Sequence, residues 1–180
     1  MDHYSRKMHK FFTLLDADGD DVLTLADFTA AANRAATAFG WSPASDESIA
    51  IRQSYTALWQ EVYAPMDLDG DAGLDFHEYL TAHRKTILGL PDGYQRVQPV
   101  AQAFLQLADT DGDGVLTRAE YVTTMNSAFG LPEEDGEHAF DQLDAANAGA
   151  LSFGEVHRAV EGYFCSEDPA AYGSALLGRI

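Results

Sequence analysis

Between Asp109 and Glu120 the chain reads DTDGDGVLTRAE, with carboxylates at the first, third, fifth and twelfth places, Gly114 at the sixth and Leu116 at the eighth. Oxygen donors at alternate positions of a short turn, closed by a distant Glu, form the shell a hard divalent cation needs. Ca²⁺ takes about six to eight such oxygens. The ligands expected here are Asp109, Asp111, Asp113, the Val115 carbonyl, Thr117 and Glu120. DLDGDAGLDFHE repeats the pattern with Asp67, Asp69, Asp71, the Gly73 carbonyl, Asp75 and Glu78. DADGDDVLTLAD does so with Asp16, Asp18, Asp20, the Val22 carbonyl, Thr24 and Asp27. A fourth copy, DAANAGALSFGE, keeps Asp144, Gly149, Ser152 and Glu155 but carries Ala146 and Ala148, whose methyl groups cannot ligate. It is expected to bind no metal.

The three acidic copies are not equivalent. Ala72 stands at the sixth place of its loop, which requires left-handed backbone at a cost of about 1–2 kcal/mol for a side chain with a Cβ. Five carboxylates outweigh that, so binding with some loss of affinity is expected. Asp21 fills the same place in the first loop and tolerates the conformation better. Asp27 closes that loop one methylene short of a Glu. A single oxygen, or a water-bridged contact, favours six-coordination at shorter distance and so admits Mg²⁺ alongside Ca²⁺.

Positioning elements are legible around each loop. The first residues, Asp16, Asp67, Asp109 and Asp144, are spaced by 51, 42 and 35 residues, an internal repeat. Helical apolar stripes precede them: Met8, Phe11, Phe12 and Leu15; Trp59, Val62, Tyr63 and Met66; Ala101, Phe104, Leu105 and Ala108; and, weaker, Gly136, Ala139, Phe140 and Leu143. One face of each helix therefore seeks a core. Phe28, Tyr79, Tyr121 and Val156 follow the loops. Leu23, Leu74, Leu116 and Leu151 occupy the eighth place, on a short strand that needs a partner loop. Helix–loop–helix units of this kind are EF-hands. A dockerin-like module, whose loops lack a full entering helix, does not fit the stripes.

The expected fold is all-α, with two pairs of EF-hands packed compactly and short strands pairing hand 1 with 2 and hand 3 with 4. Residues 1–88 form the first pair, 89–96 the linker, 97–164 the second pair and 165–180 a tail packing on the core. Gly89-Leu-Pro-Asp-Gly93 and Gly130-Leu-Pro132 are turn-rich breaks. Ser42-Pro43 and Ser45 start a helix expected to run to about Tyr63.

Composition narrows the function. Against 29 acidic residues stand 11 basic ones, for a net charge of −18. That balance argues against nucleic acid and against a membrane surface. Cys165 is the only cysteine, so no internal disulfide forms, in keeping with a cytoplasmic setting. MDHYSRKMHK lacks the apolar core of a signal peptide. No apolar run approaches the roughly 20 residues that span a bilayer. His3, His9, His77, His83, His138 and His157 form no metal-binding spacing. P-loop, GxSxG, HExxH and CxxC motifs are missing, so no enzyme is expected and no catalytic residue is assigned.

Taken together, the four hands, the wide first spacing, Asp27 ending loop 1, the disabled hand and the tail resemble the sarcoplasmic calcium-binding protein family over nearly the full length. The resemblance is strongest to its bacterial calerythrin-like members. The excess of Arg over Lys, eight to three, fits a GC-rich bacterial gene. The resemblance implies a cytosolic Ca²⁺ buffer or signal modulator with the lobes packed together, and which hand is disabled varies in that family; a monomer is expected. The alternative is a sensor that opens a hydrophobic groove for a protein target. Such grooves are usually rich in Met, and this chain has four Met. Tyr172, Leu176, Leu177 and Ile180 of the tail are expected to fill the groove a sensor keeps free.

Overall fold

The computed structural model describes all 180 residues. Hand 1 comprises α1 (His3–Leu15), β1 (Val22–Leu23) and α2 (Leu25–Ala38). The Asp2 carboxylate caps α1 by accepting the Ser5 N–H at 2.8 Å, and the helix buries its stripe of Met8, Phe11, Phe12 and Leu15. Hand 2 begins with α3 (Asp46–Leu58), capped by Ser45. The helix reaches Tyr63 as expected but is not α-helical throughout: Trp59–Tyr63 form a π turn and Ala64–Met66 a 3₁₀ turn. Pro65 explains the change, since it lacks an N–H and its ring opposes the carbonyl four residues back. The Ala64 N–H reaches back five residues to Trp59 instead. Then come β2 (Leu74–Asp75) and α4 (Phe76–Thr86).

Hand 3 is α5 (Gly93–Ala108), β3 (Val115–Thr117) and α6 (Arg118–Phe129); hand 4 is α7 (Glu133–Leu143), β4 (Ala150–Ser152) and α8 (Phe153–Cys165). Helix α5 thus starts inside the stretch read as linker. The strands pair antiparallel, β1 with β2 and β3 with β4, setting Leu23 opposite Leu74 and Leu116 opposite Leu151. This is the pairing expected from the eighth loop position.

The two pairs share one interior. A single cluster of 46 buried residues draws on all four hands and on Leu176 and Leu177. Helix α2 packs on both α3 and α6, and α5 packs on α8. The first helix also clasps the last. Tyr4 donates to the Phe164 carbonyl at 2.9 Å and Tyr163 to the Lys7 carbonyl at 2.6 Å. Lys7 is fully buried, and its ammonium donates to the carbonyls of Gly162 and Ser166 at 3.2 and 2.7 Å. A cation at the C-terminal end of α8 is favourably placed against the helix dipole. Burial still disfavours the charge and brings the Lys7 pKa down to about 8.

His83 is fully buried as well. It lies 4.3 Å from the Tyr79 ring and 5.7 Å from Phe164, centroid to centroid, and neither ring nitrogen has a partner. Desolvation lowers its pKa from 6.5 to about 3. The folded state therefore holds His83 neutral while the unfolded chain takes up a proton. Its contribution is intact above pH 6.5 and is lost as the pH falls toward 3, by about 1.4 kcal/mol per pH unit. Denaturant titrations at pH 7 and 5 should show wild-type protein losing about 2 kcal/mol more than His83→Leu. Equal losses would show that His83 is solvated in solution.

Candidate metal centres

All four loops share one backbone scaffold. The first-position carboxylate accepts the sixth-residue amide in every loop, together with the fourth-residue amide in loops 1 to 3 and the fifth-residue amide in loop 4. Asp16 binds Gly19 N–H at 2.9 Å and Asp21 N–H at 3.0 Å; Asp67 binds Gly70 and Ala72 at 2.7 and 3.0 Å. Asp109 binds Gly112 and Gly114 at 2.9 and 3.3 Å, and Asp144 binds Ala148 and Gly149 at 2.7 and 2.8 Å. To present its amide, the sixth residue turns left-handed, with φ of 66° at Asp21, 71° at Ala72, 85° at Gly114 and 81° at Gly149. Ala72 is therefore strained, as its place in the sequence implies. Ala72→Gly relieves that strain but adds freedom to the unfolded chain, for a net gain of about 0.5–1 kcal/mol. A rise in the denaturant midpoint, with tighter Ca²⁺ binding at one site, is the expected readout; an unchanged midpoint contradicts it.

The twelfth residue does two jobs in the local structure. It is the third residue of the exit helix, so it closes a capping box with the ninth residue: Thr24 with Asp27, Asp75 with Glu78, Thr117 with Glu120 and Ser152 with Glu155. That role is readable from the [S/T/D]-x-x-[D/E] spacing. In the first three loops the carboxylate also accepts the amide of the second loop residue, at 2.9 Å from Ala17, 3.0 Å from Leu68 and 3.1 Å from Thr110. Each carboxylate is thus tied at both ends of its loop. Asp27, despite its shorter side chain, makes both ties and is buried. Glu155 keeps only its bonds to Ser152.

Three carboxylate clusters result: Asp16, Asp18 and Asp27; Asp67, Asp69 and Asp71; and Asp109, Asp111 and Glu120, with the oxygens of each cluster within 4.8 Å of one another. Loop 4 forms none, because its third and fifth residues are Ala146 and Ala148. Other expected ligands are otherwise engaged. Asp20 and Asp113 turn onto the amides of Val22 and Val115 at 2.9 and 3.0 Å. Thr24, Asp75 and Thr117 serve as N-caps. Gly73 lies just before β2, while Val22 and Val115 open their strands.

The donor sets suit a hard cation. Every clustered atom is a carboxylate oxygen, and two of the clusters include the doubly tied closing residue. Loop 3 has an additional brace: the Thr110 hydroxyl donates to Glu120 at 2.8 Å. Burial alone raises the Glu120 carboxyl, but hydrogen bonds from Thr117 and Thr110 outweigh it and keep the pKa below the usual range. The only sequence signal for Thr110 is a hydroxyl at the second place, where loops 1 and 2 have Ala17 and Leu68.

No family model matches the chain. It is 33% identical to a Streptomyces coelicolor calcium-binding protein, described as a structural basis for prokaryotic calcium-mediated regulation. The two align with a TM-score of 0.73, covering 89% of this chain and 97% of that one. Calerythrin of Saccharopolyspora erythraea is 25% identical over 161 residues, 88% of this chain and 90% of its own length. The amphioxus sarcoplasmic calcium-binding protein shares the fold at a TM-score of 0.70, with 20% identity, over 100% of this chain and 98% of that one. No helix is long and apolar enough to cross a membrane. With one third of its residues shared along nearly the whole of a bacterial calcium-binding relative, the chain belongs to the calerythrin-like sarcoplasmic calcium-binding proteins of the EF-hand class.

Proposed function

We propose that this protein is a cytoplasmic, monomeric Ca²⁺ buffer or signal modulator with three working sites and one empty hand, and that it catalyses no reaction. The observation that carries the reading is the set of three doubly anchored acidic loops beside a fourth that lacks the cluster. Loop 1 would hold its ion through Asp16, Asp18, Asp20, Val22, Thr24 and Asp27. Loop 2 would use Asp67, Asp69, Asp71, Gly73, Asp75 and Glu78. Loop 3 would use Asp109, Asp111, Asp113, Val115, Thr117 and Glu120. Carbonyl donors at the seventh place complete oxygen shells of the kind Ca²⁺ takes. Loop 4 serves as the strand partner of loop 3. The regulatory description of the Streptomyces relative supports the modulator side of this reading.

Loop 1 is the site assigned to mixed Ca²⁺/Mg²⁺ occupancy, because Asp27 offers a shorter reach than Glu78 and Glu120. Calorimetric titration with Ca²⁺, alone and in excess Mg²⁺, tests the whole assignment. Three ions are expected, with Mg²⁺ competing most strongly at one site, and Asp27→Glu should reduce that competition. A fourth ion, or a selectivity unmoved by Asp27→Glu, would refute the corresponding part.

A further inference from the structure

The outer face of α1 is an anomaly on so acidic a chain. Arg6, His9, Lys10 and Thr13 stand at helical spacing on one face, with Arg6, His9 and Thr13 exposed and Lys10 half-buried. Arg179 of the tail joins them, and Leu14 and the exposed Ile180 supply apolar wall. Together they bound a shallow concavity of ≈ 510 Å³, and none of its eight lining residues has an acidic side chain. The site gathers three of the chain's 11 cationic residues. Two of them are available to a ligand. The Arg6 guanidinium bonds only the Met1 carbonyl, at 3.1 Å, and the Arg179 guanidinium makes no hydrogen bond. Lys10 fixes the floor by donating to the Arg179 carbonyl at 2.7 Å and pairing with Asp135 at 3.4 Å.

From this we infer that the α1 face docks an acidic segment of a partner protein, with carboxylates on Arg6 and Arg179 and an apolar side chain against Leu14 and Ile180. Planar guanidiniums bind carboxylates bidentately, and the apolar wall gives an anchor that charge alone does not. Nucleic acid is disfavoured: tight binding draws on about six to ten phosphate contacts, and a patch this small lies within a surface of net charge −18. An anionic bilayer meets the same repulsion over a wider area.

The position also couples docking to metal. Lys10 and Asp16 are six residues apart along α1 and its end, about 9 Å, which is close to a Debye length at 0.1 M salt. Loop 1 carries Asp16, Asp18, Asp20, Asp21 and Asp27. Each divalent ion bound removes two negative charges from the field that an acidic partner must approach. Only this calcium dependence rests on the proposed metal sites; the cationic face itself does not.

The test uses the full chain and a fluorescein-labelled amphipathic peptide of Leu and Glu, followed by anisotropy and amide chemical-shift mapping. Saturable binding is expected, several-fold tighter in Ca²⁺ than in chelator, weakened by salt and centred on the α1 face. Arg6→Ala with Arg179→Ala should weaken it about tenfold, whereas Lys85→Ala, in a concavity elsewhere on the surface, should not. A Gln-for-Glu peptide should lose binding. The inference fails if no peptide binds, if the double variant binds as wild type, if the shifts map elsewhere, or if an oligonucleotide or phosphatidylserine vesicles bind more tightly. Calorimetry on the same samples separates the two claims. Ca²⁺ bound without peptide overturns the docking face alone, and peptide bound without any Ca²⁺ uptake overturns the metal sites alone.

Discussion

Stripping Ca²⁺ from the protein should lower its melting temperature by about 20 °C. Each cluster holds its carboxylate oxygens within 4.8 Å of one another, so the metal-free loops repel themselves. An ion bound only to the folded state adds RT ln(1 + [L]/Kd), about 2.7 kcal/mol per site at a hundredfold excess over Kd. Three sites give about 8 kcal/mol, and a chain of this length shifts by about 2–4 °C per kcal/mol. Glu120→Gln should remove one ion from the stoichiometry and about a third of the increment, because it takes away the carboxylate tied to both Thr110 and Thr117. Calorimetric scans in Ca²⁺ and in chelator check both numbers. Identical melting in the two would remove the case for tight binding.

The second large effect concerns the tail. Leu176 and Leu177 are buried, Tyr121 donates to the Leu176 carbonyl at 2.5 Å, and Tyr172 donates to the Leu143 carbonyl at 2.8 Å. Arg158 lies over the Tyr172 ring at 4.8 Å. Ile180, expected in the same groove, is instead 39% exposed; it lies beyond the turn at Gly178, which packs against Asp135. Ending the chain after Glu167 removes two buried Leu side chains, worth about 1.5–3 kcal/mol each. The truncated, Ca²⁺-loaded protein should bind ANS and a hydrophobic resin where the full chain does not.

A single-atom change tests the same contact without cutting the chain. The tail backbone lies so close to α8 that a Cβ at Gly162 would sit 1.7 Å from the Tyr172 carbonyl. Gly162→Ala should therefore lift the tail and raise dye binding in the same way. For the intact protein, ANS fluorescence should stay flat or fall on Ca²⁺ loading. A rise there would favour a sensor with an opening groove over a buffer.

The sequence by itself determined the parts whose logic is local. A twelve-residue loop carries its own donors, its own left-handed turn and its own helix cap, so the clusters at Asp16, Asp67 and Asp109 and the defect at Ala146 and Ala148 were all readable in one dimension. The eighth-position leucines likewise named their strand partners, because an unpaired edge demands one. Local pattern stopped short wherever two distant segments meet. Tertiary structure alone decided that Lys7 is buried against the carbonyls of Gly162 and Ser166, and that His83 sits unpaired between Tyr79 and Phe164. It also decided that Leu176 and Leu177 enter the core while Ile180 stays outside. Helical periodicity says that a face is buried and not what covers it. The cover here comes from up to some 160 residues away along the chain, where only close packing of the folded protein selects the partner.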